Sequence, residues 1–316
     1  MFIHQVRNKY DFLEEMDTLN KQKVDMDDPR LIRLIRNYWI ENPSDQPYNL
    51  KQPHVMDTSI GQAAFVDNRL HFKKGGFFVE CGALDGETRS NTLIFERSRD
   101  WNGLLIEADP SNYALVKKKN RKAFTINACL SIYPYPVKLQ FKKSFNVGKI
   151  VQDQNAKGRN IVNVQCFPFY SIMKALNVTH VDFFSLDVEG NELEVLRTIP
   201  FDKIHIDMMT VEIAHVPGGE TPVKTFVENK GVKIYLIYVF LQDFEDLLGY
   251  FTCITPNGYS TADHAVSIET VSLKIKIIDF EFKPFSHCHE GIDETCTKLT
   301  DILSEKSSKL KKLLNN

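Results

Sequence analysis

The chain is poor in the features that would carry it to a polyanion or through a bilayer. Over 316 residues, 39 Lys and Arg face 41 Asp and Glu, a net charge of -2. No basic surplus exists to draw a nucleic acid. The longest apolar run, Ile234 to Leu241, is far below the ~20 residues of a spanning helix. Met1 to Tyr10 carries charges and lacks the apolar core of a secretory leader. The six cysteines form no framework. Cys81, Cys129, Cys166 and Cys253 stand in apolar, strand-like contexts and read as buried thiols. That predicts a reducing, cytoplasmic setting, where the one sequon, Asn177-Val178-Thr179, is a chance match. His287, Cys288 and His289 with Cys296 fit no standard zinc spacing. G-x-G-x-x-G is missing, which disfavours a nicotinamide oxidoreductase. What remains, 43% hydrophobic and 25% charged, is ordinary globular composition.

The organising stretch runs from Gly75 to Gly86. Phe77 to Val79 is an apolar run of the kind buried on both faces of a central parallel strand. Glu80 follows, then Gly82 and Gly86, which let the backbone turn sharply and approach a ligand. Asn91 to Arg99 is helix-compatible. Strand, glycine turn and helix make the nucleotide-binding start of a doubly wound sheet. The G-x-x-x-G spacing and the acid before it suit a cationic, amino-bearing ligand better than a pyrophosphate. S-adenosylmethionine, with a sulfonium, an ammonium and no phosphate, fits. A second strand, Leu104 to Ile106, ends in Glu107, placed to bind a ribose diol.

The rest of the chain fills in around that start. Residues 1–26 read as peripheral. Asp28-Pro29 opens a helix, and Ser59 to Phe72 reads as another. Asp109-Pro110 opens a helix to about Asn120, whose Lys117, Lys118 and Lys119 read as a solvated end complementing the dipole. Ala123 to Ile126 is a third strand, and Asn127 at its tip is either an adenine contact or a strand-end turn. Val137 to Phe141 alternates like a strand of a side hairpin. Residues 131–160 read as an excursion over the sheet's carboxyl edge.

The second strong element is Val181 to Glu192. A buried strand runs into Asp187 and Glu189, then a glycine turn. Carboxylates at that position need water or ligand to solvate them. A metal is not expected from Asp187-x-Glu189 with no adjacent histidine. Met208 to Ile213 is a further strand carrying Glu212, followed by His215, a general base or a structural histidine. Beyond Gly218-Gly219, three segments supply the last elements: 234–241, 244–251 and 271–278. The Lys-rich tail begins near Ser304.

Phe78-Val79-Glu80-Cys81-Gly82-Ala83-Leu84-Asp85-Gly86, Ile106-Glu107-Ala108-Asp109-Pro110, Asn127-Ala128 and Asp187-Val188-Glu189-Gly190-Asn191-Glu192-Leu193 together resemble the FkbM-type methyltransferase family. Asp28 to Ile32, Gly82 to Thr92 and Asn146 to Ile150 look like its arthropod Star-like subgroup. The resemblance implies a seven-stranded Rossmann-like S-adenosylmethionine methyltransferase sheet with helices on both faces. Here that sheet would occupy 75–285, after an N-terminal helical extension at 27–74 and before a tail at 286–316. It implies cofactor contacts at Glu80, Gly82, Ala83, Gly86, Glu107, Asn127, Asp187 and Glu189, with Glu80 on the ammonium. Asp187 or His215 would accept the acceptor's proton. FkbM-type enzymes imply O-methyl transfer to a small molecule or glycan. Star-like proteins imply a catalytically silent domain in endoplasmic reticulum and Golgi vesicle trafficking of growth-factor cargo for EGF receptor signalling, with membrane association there.

Overall fold

A computed structural model describes residues 2–151, 153–230, 233–238, 250–255, 270–271 and 274–275. Residues 1–263 form one compact unit and 264–316 a second. In the second, Thr270–Val271 and Lys274–Ile275 pair as an antiparallel ladder. The His287 to Cys296 cluster, the Lys-rich tail, the segment 244–249 and the 285/286 boundary lie outside the described residues.

The first helix, α1 (Phe2–Gln22), corrects the reading of 1–26 as peripheral. Met16 and Leu19 are buried in the main core, and Phe12 stacks on Tyr38 with ring centroids 4.2 Å apart. The apolar positions 12, 16 and 19 fall on one helical stripe, hidden in sequence by the charges between them. α2 (Pro29–Leu34) starts as expected: Asp28 accepts from the Arg30 N–H and Pro29 opens the first turn. A π-helical turn (Ile35–Trp39) leads into a two-residue strand, β1 (Ile40–Glu41). α3 (Gln62–Arg69) is shorter than the expected 59–72.

The remaining elements alternate. β2 (Phe77–Cys81), α4 (Leu93–Ser98), β3 (Asn102–Glu107), α5 (Pro110–Lys118) and β4 (Phe124–Asn127) build one half. An insertion follows: β5 (Cys129–Leu130), β6 (Val137–Lys142), β7 (Lys149–Ile150) and β8 (Ile161–Phe167). Then come α6 (Phe169–Leu176), β9 (His180–Leu186), α7 (Glu192–Thr198), β10 (His205–Glu212), α8 (Glu220–Glu228), β11 (Lys233–Tyr238) and β12 (Tyr250–Thr255).

The main sheet has the order β1-β4-β3-β2-β9-β10-β12-β11. β4, β3, β2, β9 and β10 run parallel, and β12 lies antiparallel between β10 and β11. Seven of the strands match the expected sheet; β1, antiparallel on the β4 edge, is the eighth. Strand order reverses between β2 and β9, so the crevice at their carboxyl ends is where a ligand binds in an open α/β sheet. The parallel strands are apolar on both faces. Val79, Leu104, Phe184 and Met209 face one core, and Phe78, Leu105, Phe183 and Met208 face the other.

β5, β8, β6 and β7 form a separate sheet. There the cysteine reading is corrected. β5 and β8 are parallel with Cys129 opposite Cys166, and the two form a disulfide across 37 residues of sequence. Each reads singly as a buried apolar residue; only the pairing of the strands brings them together. Cys81 is a buried free thiol.

Candidate active site

A cavity of about 140 Å³ opens at the carboxyl ends of β2, β3 and β9, bounded on one side by the insertion. Glu80, Gly82, Glu107, Asp187 and Glu189 line it. The register pairs Glu80 with Leu105. Alternation along β3 therefore puts Glu107 on the same side of the sheet as Glu80.

The glycine loop is held from beneath. Glu80, 3% exposed, accepts from the Ser90 hydroxyl at 2.8 Å and from the Asn91 N–H and the Thr92 hydroxyl, each at 2.6 Å. Burial pushes its pKa up, and Arg121 and these donors oppose that. Arg121 is fully buried. It donates to Glu96 at 2.9 Å and to the Gly86 carbonyl at 2.5 Å. Asp85 accepts from the Glu87 and Thr88 N–H groups. Glu87 accepts from Lys51 N–H, Gln52 N–H and Lys119 Nζ. Lys119 is thus a buried partner of the loop, not part of a solvated helix end; Lys117 and Lys118 are exposed.

Gly82 has φ +89, and a Cβ there would overlap the carbonyl oxygen of Asp187. The two strand ends approach so closely that only glycine fits. Leu84 (φ 54) and Glu189 (φ 59) also take left-handed conformations, costly for residues with side chains and typical of functional loops.

Glu107, 5% exposed, accepts from the Leu84 N–H and the Asp109 N–H, each at 2.8 Å. Burial pushes its pKa up to about 8. Asn127 donates to the Glu107 carbonyl at 2.8 Å and lies outside the cavity lining. That bond ties β4 to β3. Ala83 and Gly86 also lie outside the lining. The Ala83 N–H donates to the Ile106 carbonyl, and Gly86 backs onto Val116.

The second element gathers acids that sequence order separates. Asp187, Glu192 and Glu212 offer carboxylate oxygens within 4.8 Å of one another. Glu192 accepts from the Val188 and Gly190 N–H groups, and burial raises its pKa to about 7. Among the described residues, Asp187 Oδ1 and Glu212 Oε2 are buried with no hydrogen-bond partner. Burial and the neighbouring carboxylates hold Asp187 well above the carboxylate range. Glu189 rises to about 7, first from burial and then from Glu212. His215 Nδ1 lies 2.7 Å from Glu189 Oε2 and 3.6 Å from Glu212 Oε2. His215 itself is not in the cavity lining. The all-oxygen set of Asp187, Glu192 and Glu212 is of the kind that can hold a hard divalent cation. Sequence reading did not find it, because Glu192 reads as a helix-start acid and Glu212 as a strand residue.

A parallel sheet with one antiparallel strand inserted near its edge, and an acid-lined crevice at the switch point, defines a Rossmann-like domain of the methyltransferase type. The chain belongs to the methyltransferase FkbM domain family, whose profile matches residues 80–260. Among solved structures it resembles the methyltransferase FkbM of Methylobacillus flagellatus KT, at 14% identity and a TM-score of 0.42. That match covers 77% of this chain and 58% of the other. It also resembles the N-terminal domain of human METTL16 in complex with SAH, at 14% identity and a TM-score of 0.38, over 73% and 84% of the two chains. A third is Aeropyrum pernix fibrillarin with natively bound S-adenosyl-L-methionine, at 15% identity and a TM-score of 0.38, over 63% and 76%. No curated protein matches the chain. Among the described residues, no helix is long and apolar enough to cross a membrane.

Proposed function

We propose that the chain is an S-adenosylmethionine-dependent methyltransferase acting on an oxygen of a small-molecule or glycan acceptor. One observation carries the reading: Glu107 at the tip of β3 and the partnerless Asp187 oxygen at the tip of β9 line the same cavity. A ligand with a ribose diol and two positive centres answers both. Glu107 would accept the ribose hydroxyls. The missing side chain at Gly82 leaves space for the methionine portion, and Asp187 with Glu189 faces its positive charge. Glu80 lines the same cavity, where it would face the ammonium while bracing the loop through Ser90, Asn91 and Thr92.

When bound, S-adenosylmethionine supplies an electrophilic methyl group. The protein's own part is to position the acceptor oxygen and keep water away. Asp187 or His215 takes the acceptor's proton. Glu189 and Glu212 flank the His215 Nδ1 at 2.7 and 3.6 Å.

Calorimetric titration of the full chain with S-adenosylmethionine, followed by transfer of a labelled methyl group to polyols and glycans, tests this. Binding and labelling are expected; absence of binding overturns the reading.

The Cys129–Cys166 disulfide favours a second reading. Disulfides persist in oxidising compartments. A Star-type domain, catalytically silent and serving as a binding module for secretory cargo in the endoplasmic reticulum and Golgi, suits that setting. Cofactor binding without transfer to any acceptor in lumenal extracts, together with retention of a growth-factor cargo, supports it. Turnover excludes it.

A further inference from the structure

We propose that Asn177 carries an N-linked glycan, so that this domain is glycosylated as well as oxidised. Two independent observations meet here. The first is the disulfide, which a reducing compartment would not sustain. The second is the position of Asn177-Val178-Thr179. It is the one acceptor triplet in the sequence, since Asn42-Pro43-Ser44 is barred by its proline.

The local structure presents this triplet well. Asn177 ends α6 in the left-handed conformation, φ 59, and its backbone N–H closes the helix on the Lys174 carbonyl. Asparagine tolerates that conformation better than most residues. Asn177 and Thr179 are exposed, while Val178 between them packs against the core. The half-buried middle residue anchors the turn, and the two recognition residues stand in solvent. Among the described residues, the Asn177 side chain has no hydrogen-bond partner, so a sugar on its amide nitrogen displaces nothing.

The triplet also sits where a glycan does no harm. It directly precedes β9, at the amino ends of the parallel strands, and the cavity is at their carboxyl ends. Seven residues of β9 separate the two by about 20 Å. The neighbouring surface is polar: His180 and His205 both reach Asp207, at 3.0 and 2.9 Å. The proposal does not depend on the methyl-transfer reading, and its test does not touch the cavity.

The experiment uses the full chain, tagged at its own locus and isolated from its own cells after rapid thiol alkylation. Digestion with peptide-N-glycosidase in heavy-oxygen water is expected to produce one glycan-sized mobility step. The peptide containing position 177 is expected to emerge as labelled Asp. A non-reducing peptide map is expected to show Cys129 linked to Cys166. Asn177→Gln and Thr179→Ala should both abolish the step, and Thr179→Ser should keep it. An undigestible wild-type chain with the disulfide in place overturns the glycan alone. Free, alkylated Cys129 and Cys166 in an unshifted chain overturn the glycan and the oxidising compartment together. The wild-type digestion requires no variant to fold.

Discussion

The ionisation of Glu107 should be readable in ligand affinity. Its carboxyl is pushed up to about 8 by burial, so at neutral pH the ligand-free group is mostly protonated. A diol donates to a carboxylate far better than to an acid. Binding therefore pulls a proton off, and affinity carries the cost of that ionisation. Below the pKa the cost grows by about 1.4 kcal/mol per pH unit, or about tenfold in affinity. From about pH 6 to about pH 8 the dissociation constant should fall roughly fiftyfold, then level off. S-adenosylhomocysteine is the probe, because it keeps the ribose and lacks the sulfonium; the other acids feel only its ammonium, equally in wild type and variant. Glu107→Gln removes the Glu107 contribution to the titration and leaves a neutral amide of the same shape. Near pH 8 it should bind about 10- to 100-fold more weakly than wild type, the worth of a charged hydrogen bond at about 1.5–3 kcal/mol. Near pH 6 the gap should close. Isothermal titration at four or five pH values gives both slopes. Parallel slopes in the two proteins, or equal affinity near pH 8, would refute the assignment of Glu107 to the diol.

Gly82→Ala should destabilise the domain by roughly 2–4 kcal/mol, from its left-handed backbone and the collision with the Asp187 carbonyl; urea unfolding that shows less than about 1 kcal/mol argues against the close approach. Arg121→Met should cost about 3–5 kcal/mol, since it strands the buried Glu96 carboxylate; an unchanged unfolding midpoint would mean the loop is not braced this way. The acid cluster sets a pH trend with a definite sign. Glu107, Asp187, Glu189, Glu192 and Glu212 all have raised folded pKa values. The native state thus keeps protons that the unfolded chain has released, and stability falls as pH rises from the ordinary carboxylate range through about 8. Thermal melting of the ligand-free protein should show that decline, and Glu212→Gln should flatten it. A melting temperature that rises over the same range would contradict the burial of these groups.

The elements that sequence revealed are those where one local pattern states the structure. β2 and β9 are apolar runs ending in acid and glycine, and nothing but a central strand running into a ligand edge reads that way. Asp28-Pro29 and Asp109-Pro110 announced two helix starts because capping is local chemistry. The residues that escaped are those whose role is set by a distant partner. Lys119 looks like one of three solvated lysines until Glu87 is folded against it. Cys129 and Cys166 look like separate apolar positions until two strands pair in parallel. Met16 and Leu19 are two apolar residues in a charged segment, too few to mark a core helix without the α2 face they cover. Glu192 and Glu212 joined Asp187 only through the neighbouring positions of β9 and β10. An acid at a strand's carboxyl end is the one signal that could have promoted Glu212.

The two residues of β1 have an importance out of proportion to their length. A parallel sheet that stopped at β4 would present a row of free N–H and carbonyl groups, a template for pairing with another molecule. Ile40 opposite Ile126 and Glu41 opposite Thr125 occupy that margin. Glu41 also engages Lys117 and the Tyr113 hydroxyl, which fastens the strip to α5. The helices before β1 therefore deliver a two-residue cap to the β4 edge, so the N-terminal extension finishes the sheet on that side.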